Sequence, residues 1–171
     1  MTGRLPFTHA AHEMGRVAAG NALSRIRSSF RENAVPLVTR TAPEVARGGL
    51  TQDQAARQLR DARVVEMPMA EVNRATTAQR TEGFVKIVAA PKKLLGNTAG
   101  GPIVGATIIA DRADEMLAES DLARCTRMFA GRLAQTTHAY PTWSMAAQET
   151  MSQLFGHRGR AVRPAPVDAV H

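Results

Sequence analysis

Apolar residues recur every three or four positions over residues 10 to 26 (AAHEMGRVAAGNALSRI). Met14, Val17, Ala18, Ala22 and Ile26 form one stripe, which predicts a long first helix with Thr8 as its cap. Gly15 and Gly20 lie inside it, and each costs a helix on the order of 1 kcal/mol relative to alanine. Two readings stay open: a helix packed close against another backbone or a flat ligand, or simply a weak helix. The next stretch, VPLVTRTAPEVARGGL (35 to 50), is β-branched and broken by prolines, which predicts a strand and then an irregular connection. TQDQAARQLRDA (51 to 62) reads as a short helix capped by Thr51, with Ala55, Ala56 and Leu59 facing inward.

Three strand-like runs follow: RVVEMPMAEV (63 to 72), GFVKIVAA (83 to 90) and KLLGNTAGGPIVGATIIA (93 to 110), the last folded about a glycine-rich hairpin turn at 96 to 101. Pro68 suits an edge position in its run. The connections are too short for crossover helices, so the three runs predict an antiparallel meander. Helical spacing returns over 111 to 131, with Asp111 as cap. A last helix begins near Thr142 and carries Trp143, Ala146, Ala147, Met151 and Leu154. From Gly156 onward no period survives, and residues 157–171 read as a disordered tail. The order of elements is that of an α+β protein: an antiparallel β-meander packed with helices and preceded by one long N-terminal helix.

Composition narrows the choice of function. Of 171 residues 44% are hydrophobic, enough for one core, and no run approaches the roughly 20 apolar residues a membrane-spanning helix needs. One cysteine, Cys125, makes no internal disulfide, and the first residues show no apolar leader; both fit a cytoplasmic protein. Cys125 sits in LARCTRMF and is expected to be a buried or half-buried thiol. The formal charge of +7 raises a nucleic-acid partner as a reading of another class. The basic residues are scattered among acids, and aromatics are only 4%, so that reading is weak.

Self-sufficient chemistry is missing. No G-x-G-x-x-G or G-x-S-x-G occurs, and GNTAGG lacks the Lys-Ser/Thr ending of a phosphate loop. His9 and His12 with Glu13 make too small a set to expect a metal site, and none is expected elsewhere.

Four segments, in order, resemble the C-terminal portion of the flavin-dependent pyridine nucleotide-disulfide oxidoreductases, the family of mercuric, lipoamide and glutathione reductases. LPFTHAAHEMGRVAAGNAL (5 to 23) resembles the helix after the family's second flavin-binding motif, and VTRTAPEVARGGLTQDQA (38 to 55) the opening of its interface domain. GFVKIVAAPKKLLGNTAGGPIVGATIIADRADEMLAE (83 to 119) resembles the interface meander and its following helix. HAYPTWS (138 to 144) resembles the terminal motif near the partner subunit's flavin. The resemblance spans residues 3 to 156. It implies a remnant flavin-facing helix at 1–34 and a dimerisation domain at 35–156.

The resemblance also carries individual residues. Thr8, His9 and Ala10 match the start of the helix whose N-terminus faces the flavin's pyrimidine edge, where free N–H groups favour negative charge. Tyr140 stands where thiol-reducing members place a histidine base, and Met145 where they place its acid partner. A phenol keeps its proton at neutral pH and makes a poor base. His138 is two residues away from the base position and is given no role. Met128, Phe129, Tyr140, Trp143 and Met151 are the residues expected across a dimer interface. Ala42, Gly48 and Asp114 depart from the residues usual at their positions and suggest relaxed constraint.

The implied function is that of a truncated interface domain of an oxidoreductase, not competent alone. The family's cofactor is FAD, with NAD(P) as electron donor. Both nucleotide-binding domains and the redox cysteine pair fall outside this chain, so FAD retention is not expected. The expected partner is a second copy or a separately encoded FAD/NAD(P)-binding half.

Overall fold

A computed structural model describes residues 5–91, 100–155 and 160–161. Helix α1 (Thr8–Leu23) leads through an extended segment and a 3-10 turn into β1 (Leu37–Thr39) and β2 (Glu44–Gly49). Then come α2 (Gln52–Gln58), β3 (Arg63–Pro68), a 3-10 turn, α3 (Asn73–Thr77), β4 (Phe84–Ala89) and β5 (Ile103–Ala110). The chain closes through α4 (Ala113–Cys125), α5 (Ala130–Ala134), α6 (Met145–Ser152) and a two-residue β6 (Arg160–Ala161). The strands form one sheet in the order β1-β2-β5-β4-β3-β6, antiparallel at every step. This is the α+β architecture expected, with β3, β4 and β5 as the meander.

Alternation in the strands sorts the two sheet faces. Val65, Met67, Val85, Ile87, Ile103 and Ile108 point to one face and are buried there with Met116 and Leu117 of α4, Leu133 of α5 and Met151 of α6. Val88, between Ile87 and Ala89, joins Ala55 and Ala62 on the opposite face, where Thr51 caps α2 in a reciprocal capping box with Gln54. Each large side chain fully buried here contributes roughly 1.5–3 kcal/mol.

Several sequence expectations need correction. Residues 35 to 50 hold two strands, because the connection at 40–43 turns the chain back and β2 pairs with both β1 and β5. The run at 63 to 72 ends as a strand at Pro68, which has no N–H for the ladder, and the short helix α3 follows unannounced. Thr8 is the first helical residue of α1; Phe7 holds the cap position and no side chain caps the helix. Asp111 is not the cap of α4 either, since Arg112 occupies that position with φ +60°.

The single helix expected over 111 to 131 breaks in two. Arg127 takes a positive φ of 53°; the Met128 N–H reaches the Ala123 carbonyl at 2.7 Å and the Arg127 N–H reaches Arg124 at 3.1 Å. Those two bonds are a Schellman ending. It is built here without glycine, so sequence gave no warning. Cys125 closes α4 and is exposed, contrary to the burial expected of it.

Arg160 and Ala161 pair with Val64 and Arg63, a short strand where a disordered tail was expected. Most of that tail and most of the 96 to 101 turn lie outside the described residues. No helix among the described residues is long and apolar enough to cross a membrane.

Candidate functional site

The terminal loop between α5 and α6 is ordered from three sides. Gln148 of α6 donates to the Thr136 carbonyl at 2.8 Å and, at 3.3 Å, to that of Ala134. Thr142 donates to the Ala139 carbonyl at 2.7 Å, which sets the turn entering α6. The Tyr140–Pro141 peptide is cis.

Inside the loop, His138 is 8% exposed and bonded at both ring nitrogens. Nδ1 lies 2.8 Å from the Thr136 carbonyl, and Nε2 lies 3.1 Å from each carboxylate oxygen of Glu119 on α4. Both partners accept, so both contacts are satisfied only when the ring carries two protons. Burial alone would lower the imidazole pKa. The Thr136 carbonyl and the Glu119 carboxylate outweigh it and raise the pKa above its ordinary value. The sequence reading gave His138 no role and did not single out Glu119. The two are 19 residues apart on different elements, so no local spacing announces the pair.

Tyr140 is 69% exposed, and its hydroxyl oxygen accepts from Asn73 Nδ2 at 3.2 Å. Asn73 comes from α3, the helix that the sequence pattern did not reveal. A phenol that accepts from an amide keeps its own O–H free to donate. Tyr140 is therefore placed as an outward hydrogen-bond donor. The nearby His138–Glu119 pair has both imidazole nitrogens engaged and is turned inward.

The remaining interface candidates divide. Met128 and Trp143 are half-buried and pack against the core, and Phe129 bridges to Pro102 at the start of β5. Met151 is wholly buried inside the chain's own core, so it does not face a partner, and its place on that roster is corrected. Leu122 and Phe155 are exposed and were not anticipated.

Two residues read as signs of relaxed constraint instead have structural work. A Cβ at Gly48 would overlap the Asp121 carboxylate, so glycine is what lets α4 lie close on β2. Asp114 pairs with Arg40 at 2.9 Å and accepts from the Glu115 N–H at 2.7 Å, fastening the β1–β2 turn to the start of α4. Partial burial works against that carboxylate. The Glu115 N–H and the Arg40 guanidinium outweigh it and hold its pKa below the ordinary range.

At the other candidate site, the first turn of α1 has neither a side-chain cap nor an acidic residue. Ala10 is buried and offers only backbone. The His9 ring stacks on Phe7 and bonds the Pro36 carbonyl at 2.7 Å, so only Thr8 presents a free side chain there. Thr8, His9 and Ala10 thus offer backbone groups and one free hydroxyl. Among the described residues no group of three His, Cys, Asp or Glu is placed to hold a metal.

Comparison with known proteins places residues 35–151 on the family model described as pyridine nucleotide-disulphide oxidoreductase, dimerisation domain. A dihydrolipoyl dehydrogenase of Halobacterium salinarum is 34% identical over 151 residues, covering 88% of this chain and 30% of that protein. An NAD(P)H dehydrogenase (quinone) of Mycobacterium tuberculosis is 30% identical over 156 residues, covering 91% of this chain and 30% of that one. The crystal structure of LpdA from Mycobacterium tuberculosis matches with a TM-score of 0.79 at 29% identity, covering 90% of this chain and 32% of that chain. The chain thus spans about a third of the length of the relatives it matches.

Proposed function

The chain belongs to the pyridine nucleotide-disulphide oxidoreductase dimerisation family, and we propose that it self-associates as a two-fold dimer with the terminal loop at the contact. The observation that carries this is the loop itself: Tyr140 stands exposed on a segment already fixed by Gln148, Thr142 and the His138–Glu119 pair. A preordered loop loses little further entropy when a partner covers it. Met128, Phe129 and Trp143, all half-buried, are the apolar residues we assign to the same contact. Light scattering at high micromolar concentration should report twice the chain mass, and a monomer there overturns the reading.

FAD is the family's cofactor, and we read this chain as not retaining it. One uncapped helix terminus offers up to about 1 kcal/mol toward an anion, whereas micromolar binding needs roughly 8 kcal/mol. A yellow protein with a flavin-to-chain ratio near one would refute this. Dithiol acid–base chemistry is not assigned to the site either. A phenol makes a poor general base, and Asn73, the residue bonded to Tyr140, is an amide and not an acid.

The alternative is a subunit completing a separately encoded FAD/NAD(P)-binding half in the cytoplasm. One feature supports it: Leu23 at the end of α1 and Ile26 in the segment after it stand in solvent, at 91% and 84% exposure. Co-expression with the nucleotide-binding portion of a dihydrolipoyl dehydrogenase should then give a yellow one-to-one complex.

A further inference from the structure

Helix α1 and the extended segment that follows it enclose an open cleft of about 670 Å³. That volume falls within the roughly 300–1,000 Å³ typical of small-molecule sites. The two walls are tied together at both ends. His9 bonds the Pro36 carbonyl at 2.7 Å, and Asn21 both donates to and accepts from the Ser28 backbone at 2.8 Å. These bonds thus fix the spacing of the two walls.

Its charge is lopsided. Arg16, Arg27 and Arg31 line it against a single acid, Glu13. Glu13 is already taken by a two-pronged bond from Arg16 at 2.6 and 2.8 Å, which lowers the carboxyl pKa. Among the described residues the guanidinium groups of Arg27 and Arg31 have no ion-pair partner. Ser28 and Ser29 lie between them in sequence, and Val17 with Val35 gives the cleft an apolar side.

We propose that this cleft binds a diphosphate, with Arg27 and Arg31 as its main anchors. Guanidinium forks match phosphate oxygens in paired hydrogen bonds, and serine hydroxyls add donors that a carboxylate-lined cleft would lack. A ligand with at least two negative charges answers the net excess of two cations. The diphosphate has two sources: free pyrophosphate, or the tail of a nucleotide whose organic part rests on the apolar side.

Titration calorimetry of the full chain with inorganic pyrophosphate and with ADP tests this. Binding of either is expected, at a level that falls as salt rises, and tighter binding of ADP would assign the organic form. The Arg27→Ala/Arg31→Ala double variant should weaken binding at least tenfold with an unchanged circular dichroism spectrum. Arg57→Ala, at an exposed position on α2 outside the cleft, should change it less than twofold. Absence of binding to the wild-type chain below millimolar concentration overturns the proposal. So does an Arg57→Ala loss as large as that of the double variant.

Discussion

Helices α1 and α4 are of similar length and both carry an apolar stripe, yet their surroundings differ. Helix α4 buries Ala113, Met116, Leu117, Ser120 and Ala123 against β2 and β5, whereas α1 buries Ala10 alone. The α4 stripe meets alternating strand residues of matching period, and its ends are fixed by the Asp114–Arg40 pair and the Schellman turn. The α1 stripe meets no such surface. Its ties to the rest of the chain include the His9–Pro36 and Asn21–Ser28 bonds, both at exposed positions. A stripe therefore announces a helix, but the element facing it decides how much stability the stripe supplies.

The largest test of that contrast is Leu117→Ala. Leu117 is 1% exposed in the main core, so its truncation should cost about 2–5 kcal/mol and shift the denaturant midpoint of the whole domain. Leu23→Ala, at a residue fully in solvent on α1, should stay within about 0.5 kcal/mol. Equal costs at the two positions would mean that α1 is covered in solution.

Gly48→Val comes next. The new side chain must displace Asp121, which is bonded to Arg124 at 2.8 Å, so we expect a loss of about 1–3 kcal/mol. Arg124 also donates to the Asn33 carbonyl at 2.8 Å, and hydrogen exchange should therefore quicken in the 32–35 segment as well. Unchanged protection there would separate the two contacts.

The His138–Glu119 pair gives a pH signature to the packed region. The folded pKa of His138 is raised, so its contribution is complete below about 6.5 and fades as pH rises through the folded value. His138→Gln should cost about 1–3 kcal/mol at pH 6 and less at pH 9, flattening the slope in that window. A slope that survives the substitution would assign it to another group.

Much of this body was legible in sequence because its signals are local. Alternation in GFVKIVAA, the Thr51 box and the stripe of α4 need no knowledge of distant residues. The features that were missed depend on distant partners or on unusual local residues. Glu119 acquires its meaning only when the loop folds back onto α4, and Gly48 only when Asp121 arrives above it. Arg127 ends a helix in a conformation that usually signals glycine. For the terminal motif, Tyr140 was named from its position alone, and its Asn73 partner lies 67 residues away on a helix without a periodic signal.

The smallest expected effect is the most informative about α1. An added Cβ at Gly15 or Gly20 would meet no neighbour within 4 Å, and neither glycine has a positive φ. Alanine at either position should therefore gain helix propensity, up to about 1 kcal/mol for each in an isolated helix. Because α1 is weakly coupled to the core, the gain should appear as higher helicity and slower exchange of α1 amides. The midpoint of the global transition should barely move. If the two glycines instead mark a surface where another backbone packs closely, the same added methyls would obstruct it. Gly15→Ala/Gly20→Ala would then reduce association in light scattering while still raising the helicity of the dilute monomer. A double variant with raised helicity and unchanged association leaves α1 outside the proposed dimer contact. Loss of association would move α1 into it.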